Sequence, residues 1–162
     1  MHRIETFKPP FHAVVYFYDD STDISFYREF GCISLELQCT GLDNQLSWLN
    51  KICPQLVPFL SQTDFLELDH DAQDDQDSTL LLEFLRPFSA VKTLLIYRET
   101  SLKQIARALE WLTDEEVEVL PMLDAIEWFD PTVWDRVKSR LLPLVQPFLD
   151  ARQQSDRPVV VQ

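Results

Sequence analysis

The sequence predicts an α/β fold, a solenoid-like arc of about five to six mostly parallel strands lining one face with helices on the other. Three observations carry that expectation. A helix–proline–strand unit is legible at Thr79–Arg98, the strand part recurs about every 30 residues, and only two glycines are present. So few glycines argue against a glycine-rich phosphate loop or a turn-dense β-sandwich. The ten prolines do most of the punctuation instead.

In the unit itself, Leu81, Leu82, Phe84 and Leu85 fall on one helical face. Pro87 stops that helix, because it has no amide donor and disfavours helical geometry at Arg86. Val91-x-x-Leu94-x-Ile96 then reads as a buried strand, being too short for a helix. The same spacing appears in Cys32-x-x-Leu35-x-Leu37, Thr63-x-x-Leu66-x-Leu68 and Leu123-x-x-Ile126-x-Trp128. Pro58, Pro87 and Pro121 make corners before three of these strands. A unit of about 30 residues cannot bury its apolar face alone and must stack on neighbours. The LxxLxL strand with a helical return is leucine-rich-repeat spacing, although the Asn or Cys that usually follows is missing or displaced. An ordinary open α/β domain with the same elements is the alternative.

In chain order, residues 1–10 are a polar lead-in and His12–Tyr18 is a β-branched, aromatic strand. Asp19–Asp23 reads as a turn or helix cap, Ile24–Phe30 as a short helix or connector, and Ile33–Cys39 as a second strand. Leu42–Leu60 is helical, with Leu42, Leu46, Leu49, Ile52 and Cys53 on one face and a kink expected from Pro54 and Pro58. Phe65–Leu68 is a strand, followed by an acidic spacer loop over residues 69–77. Ser101–Leu112 is a helix with Ser101 as its cap, and Thr113–Glu116 carries a capping-box pattern for a short helix to Leu120. Leu123–Phe129 is a strand. Asp130-Pro131-Thr132 opens a long helix bent by Pro143 and Pro147, and Val159–Val161 closes the chain as a strand. All 162 residues are expected in one irregular domain.

A formal charge of −13, from 27 acidic and 14 basic residues, repels phosphate backbones and anionic lipid. Nucleic acid and membrane surfaces are therefore excluded as expected partners, while a basic protein partner is permitted. Cys32, Cys39 and Cys53 are dispersed and show no zinc spacing, which points to free thiols in a reducing, intracellular compartment, cytoplasmic or nuclear. The amino terminus lacks a signal-peptide apolar core, and no run approaches the roughly 18 apolar residues of a spanning helix.

The acids Asp69, Asp71, Asp74, Asp75 and Asp77 do not fit an EF-hand loop. Started at Asp69, the loop places Asp74 at the glycine position and Leu80 at the bidentate glutamate position. A solvated spacer is expected, with Asp77 or Ser78 capping the next helix, and no metal or other cofactor. No serine sits in a nucleophile elbow. Strand-end carboxylates, Glu67 with Asp69 and Glu127 with Asp130, are the only acid–base candidates. Aromatics lead binding hot spots, so Trp128 and Tyr97, with the nearby acids Glu67, Asp69 and Glu127, form a candidate protein-binding face.

From Leu37 onward the chain resembles the carboxy-terminal leucine-rich-repeat region of the F-box-like proteins of mushroom-forming fungi. Leu37–Ser61, Leu81–Ile96, Glu116–Ile126 and Pro147–Val161 carry the likeness, most specifically FLRPFSAVKTL and ARQQSDRPV. The resemblance implies a non-catalytic scaffold that recognises ubiquitin-ligase substrates. In that family an F-box module engages a Skp-type adaptor. The first 40 residues here hold no F-box-like helical pattern and no Leu-Pro start, so the adaptor is not carried over to this chain. The expected function is protein binding without enzymatic activity. The alternatives are a small hydrolase-like or metal-dependent α/β enzyme using Asp69 and Asp130, or a degenerate fragment without selected activity.

Overall fold

The computed structural model describes residues 11–70, 78–110 and 118–162. They form a seven-stranded sheet and four helices: β1 (Phe11–Phe17), β2 (Ser21–Arg28), β3 (Gly31–Gln38), α1 (Leu42–Leu60), β4 (Thr63–His70), α2 (Ser78–Leu85), β5 (Thr93–Ile96), α3 (Glu99–Glu110), β6 (Ala125–Trp128), α4 (Pro131–Gln154) and β7 (Val160–Val161). The strand order is β3-β2-β1-β4-β5-β6-β7. Strands β1, β4, β5, β6 and β7 run parallel, while β2 and β3 add to β1 as an antiparallel meander.

The expected mostly parallel α/β architecture is therefore present, with seven strands rather than five or six. The additional strand is β2, where the sequence predicts a short helix or connector. Its period-two pattern explains the outcome: Thr22, Ile24 and Phe26 are buried while Asp23 and Ser25 are not. A helix would keep Thr22 and Phe26 on one face and turn Ile24 to the opposite side.

Leu66, Leu94 and Ile126 stand side by side in β4, β5 and β6, and Val161 of β7 continues the row. These are the repeat positions, and the first three are almost wholly buried. Leu35 is not one of them. It lies on the antiparallel strand β3 opposite Ile24, so the first copy of the repeat is a meander strand that shares the spacing alone.

The helices form one layer, α1 against α2, α2 against α3 and α3 against α4. Between that layer and the sheet lies the core, built on Val15, Phe17, Ile24, Phe26, Leu46, Leu49, Leu68, Phe84, Phe88, Ile105, Leu109, Leu141 and Val145 among others. Truncating a fully buried leucine such as Leu66 costs about 2–5 kcal/mol by analogy with other cores.

Local signals set the element ends. Gly41 precedes α1 at φ 81°, a left-handed conformation that suits glycine. α1 runs through Pro54 and Pro58, and α4 through Pro143 and Pro147, each as a single helix. α2 ends at Leu85, just before Arg86-Pro87. Asp130 caps α4, its Oδ1 accepting from the Thr132 amide at 2.9 Å and the Thr132 hydroxyl at 2.6 Å, with Pro131 at the first helical position.

Ser101 is not a cap. α3 begins two residues earlier at Glu99, and the buried Ser101 hydroxyl instead accepts from the His70 amide at 3.2 Å. Asp69 and His70 belong to β4 rather than to the acidic spacer, whose remaining residues lie outside the described ones. The capping-box helix also falls mostly outside them, and its described end, Glu118–Leu120, is not helical.

Two buried polar side chains fasten helices to backbone around them, Gln45 to the ends of strands and Arg152 to the corner before β6. Gln45 of α1 donates through Nε2 to the carbonyls of Tyr18 (2.7 Å), Ser21 (3.1 Å) and Cys39 (2.9 Å), gathering the ends of β1 and β3 with the start of β2. Arg152 of α4 donates to the carbonyls of Val119 and Leu120, and to that of Pro121 at 3.2 Å. It also pairs with Glu118 at 2.7 Å.

Candidate protein-binding face

Strand parity decides which side chains reach the face away from the helices. Leu66 and Leu68 of β4 point into the core, so Phe65, Glu67 and Asp69 point out. By the same register His12, Val14 and Tyr16 of β1, Asp23, Ser25 and Tyr27 of β2, and Leu95 and Glu127 of β5 and β6 share that outer face. No described helix covers it.

At the carboxyl ends of the parallel strands this face is aromatic and acidic. Tyr16 packs 6.2 Å from Tyr18 on one side and 6.2 Å from Tyr97 on the other. Tyr97 stacks on Phe129 at 4.3 Å with the rings 25° apart. The four rings make a ribbon across β1, β5 and β6, whose ends are open to solvent: Tyr18 is 49% and Phe129 58% exposed.

Glu67 and Asp69 sit within the ribbon. Tyr97 donates its hydroxyl to Glu67 Oε2 at 2.5 Å, and His12 Nε2 lies 2.6 Å from the other oxygen. Asp69 meets Arg98 Nε at 3.1 Å. Burial, then hydrogen bonding with Glu67 and Tyr16, pushes the Tyr97 phenol well above its ordinary value, so it stays a neutral donor. Burial likewise raises the Tyr18 phenol, with Asp23 adding to it. Asp23 and Glu36 stand directly opposite on β2 and β3. The Asp23 carboxyl is raised, first by burial and then by the Glu36 charge.

Of the five residues expected on the binding face, Glu67, Asp69 and Tyr97 converge here. Glu127 is on the same face but two strands from Glu67, 3.4 Å from the Gln162 amide. Trp128 is on the opposite face. It is level with Leu68 and Ile96, packs against the core and stacks on Trp134 of α4 at 6.1 Å. The reason is parity: the third apolar position of the LxxLxL strand points to the helices in every copy. Phe129, one residue on, takes the outward place. The sequence marks His12, Tyr16 and Tyr18 only as strand residues, and their alternation with Ala13, Val15 and Phe17 is the signal that places them outward.

Asp130 caps α4 and Asp69 is paired with Arg98, so each of these carboxylates is already engaged. Among the described residues no three His, Cys, Asp or Glu side chains gather as a metal would need, and no helix is long and apolar enough to cross a membrane. No family model, curated protein or solved structure matches the chain.

Proposed function

We propose that the chain is a non-catalytic protein-interaction module whose open sheet face takes a Lys- or Arg-bearing segment of a partner protein. One observation carries the reading: the ring ribbon Tyr18–Tyr16–Tyr97–Phe129 with Glu67 and Asp69 set inside it on an uncovered face. Cations are attracted both to aromatic faces and to carboxylates, and the overall charge of −13 steers a basic partner inward. The ordered row β4-β5-β6-β7 with helices on one side supports reading that part as a leucine-rich-repeat-like arc. A substrate-recognition role like that of F-box-like scaffolds follows from that reading and from the sequence resemblance. Three free cysteines fit a reducing intracellular compartment.

The test is affinity purification with the wild-type chain and a Tyr18→Ala/Phe129→Ala double variant in parallel. Both side chains are exposed, so the fold should survive. A partner retained by the wild type, lost with the double variant and weakened by salt supports the proposal. A partner held equally by both chains overturns it. The enzyme reading lacks support from Asp130, whose carboxylate is engaged at the helix cap.

A further inference from the structure

The two edges of the sheet are finished differently. β7 offers two residues, Val160–Val161, and is blunt. β3 offers eight, Gly31–Gln38, with no described strand beyond it and neither lysine nor proline in its length. Edges are normally protected by shortness, charge, proline or a bulge, because bare amides and carbonyls pair with other strands. β3 carries one charge, Glu36, and regular pairing with β2 throughout.

Its flank is also apolar. Beside the start of β3 lies an open groove of about 430 Å³, lined by Phe11, Phe26, Phe59, Phe30, Cys32 and Ile33 among others. Phe30 is 93% and Ile33 49% exposed.

We propose that β3 pairs antiparallel with β3 of a second copy about a two-fold axis centred on Leu35. Such an axis sets one residue opposite itself. Centred on Glu36 it would oppose like charges, which destabilises a pair. Centred on Ser34 it would leave Leu37 opposite Gly31. Centred on Leu35 it sets Leu35 against Leu35, Ile33 against Leu37, Ser34 against Glu36 and Cys32 against Gln38. Apolar meets apolar on the helix side, and a hydroxyl meets the carboxylate on the open side. The axis is perpendicular to the sheet, so the two helix layers fall on one side and join, and Leu37 of the second copy covers Ile33 at the mouth of the groove. Two bodies of charge −13 repel, so pairing strengthens as salt screens them.

The experiment is equilibrium sedimentation across micromolar protein concentrations and rising salt, with register-specific cross-linking. The wild type is expected to dimerise, more so at high salt. Ile33→Lys, at a half-exposed site, should weaken association roughly tenfold or more while leaving the circular dichroism spectrum unchanged. In a Cys32→Ser/Cys39→Ser background, Leu35→Cys should oxidise to a covalent dimer and Val160→Cys, at the other edge, should not. If Ile33→Lys fails to fold, the Leu35→Cys cross-link decides. A chain that stays monomeric throughout overturns the proposal. So does a dimer that cross-links through Val160→Cys or fails to link through Leu35→Cys.

Discussion

The Tyr97 hydroxyl donates to Glu67 from the end of the neighbouring strand, holding a protonated phenol against a carboxylate on the open face. Below pH 10 the phenol keeps its proton in folded and unfolded chains alike, and the contact is intact. Above it the unfolded phenol ionises while the folded one resists, so the unfolded chain binds fewer protons and stability falls as pH rises. Tyr97→Phe should cost about 1 kcal/mol at neutral pH in urea denaturation. The gap between wild type and variant should narrow in alkali. A gap that stays constant past pH 10 would show that Tyr97 titrates as an ordinary tyrosine.

Arg152 is nearly buried and answers three carbonyls on the Val119–Pro121 corner together with Glu118. Burial lowers its pKa, but a guanidinium stays charged at any physiological pH. Arg152→Met keeps the apolar stem and strands those acceptors. It should destabilise by about 2–4 kcal/mol in guanidinium titration. A loss near zero would mean water serves the carbonyls equally well.

Gln45 makes three backbone contacts from one amide nitrogen inside the α1–sheet interface. Gln45→Leu preserves shape and removes the donor. The expected cost is about 1–3 kcal/mol, and amide exchange should quicken at the ends of β1 and β3 before it does in β5. Uniform exchange across the sheet would contradict a local fastening role.

The three thiols differ in reach. Cys32 is exposed, while Cys53 is buried and its thiol is pushed up to about 11 by that burial. Since the thiolate is the reactive form, a maleimide should modify Cys32 promptly and Cys53 only after unfolding. Mass spectrometry of peptides labelled at neutral pH checks this. Early labelling of Cys53 would show that α1 opens readily.

Much of this architecture is readable from apolar spacing. α1 occupies Leu42–Leu60 as its leucine stripe predicts, and Leu66, Leu94 and Ile126 stand in register because each fills the same place in its unit. Spacing alone also misled. Leu35 shares the interval with no crossover before it, and its antiparallel partner Ile24 sits in a strand whose Asp and Ser residues resemble a cap. The candidate face was legible in part: Glu67, Asp69 and Tyr97 follow from parity, and the same parity, applied to Trp128, sends it to the helices. The contributions of His12 and Tyr16 depend on β1 lying beside β4, about 50 residues away in sequence, which no local pattern reveals.

From β5 onward every strand lies beside the one that precedes it in the chain. That half of the molecule can therefore grow by duplication. A further helix–strand segment inserted between β5 and β6 would widen the sheet by one strand without rethreading any connection. The β1–β3 meander, being joined to β4 through β1 alone, would keep its partner. Length on that side is a quantity that gene-level copying can tune, while the meander keeps its three strands.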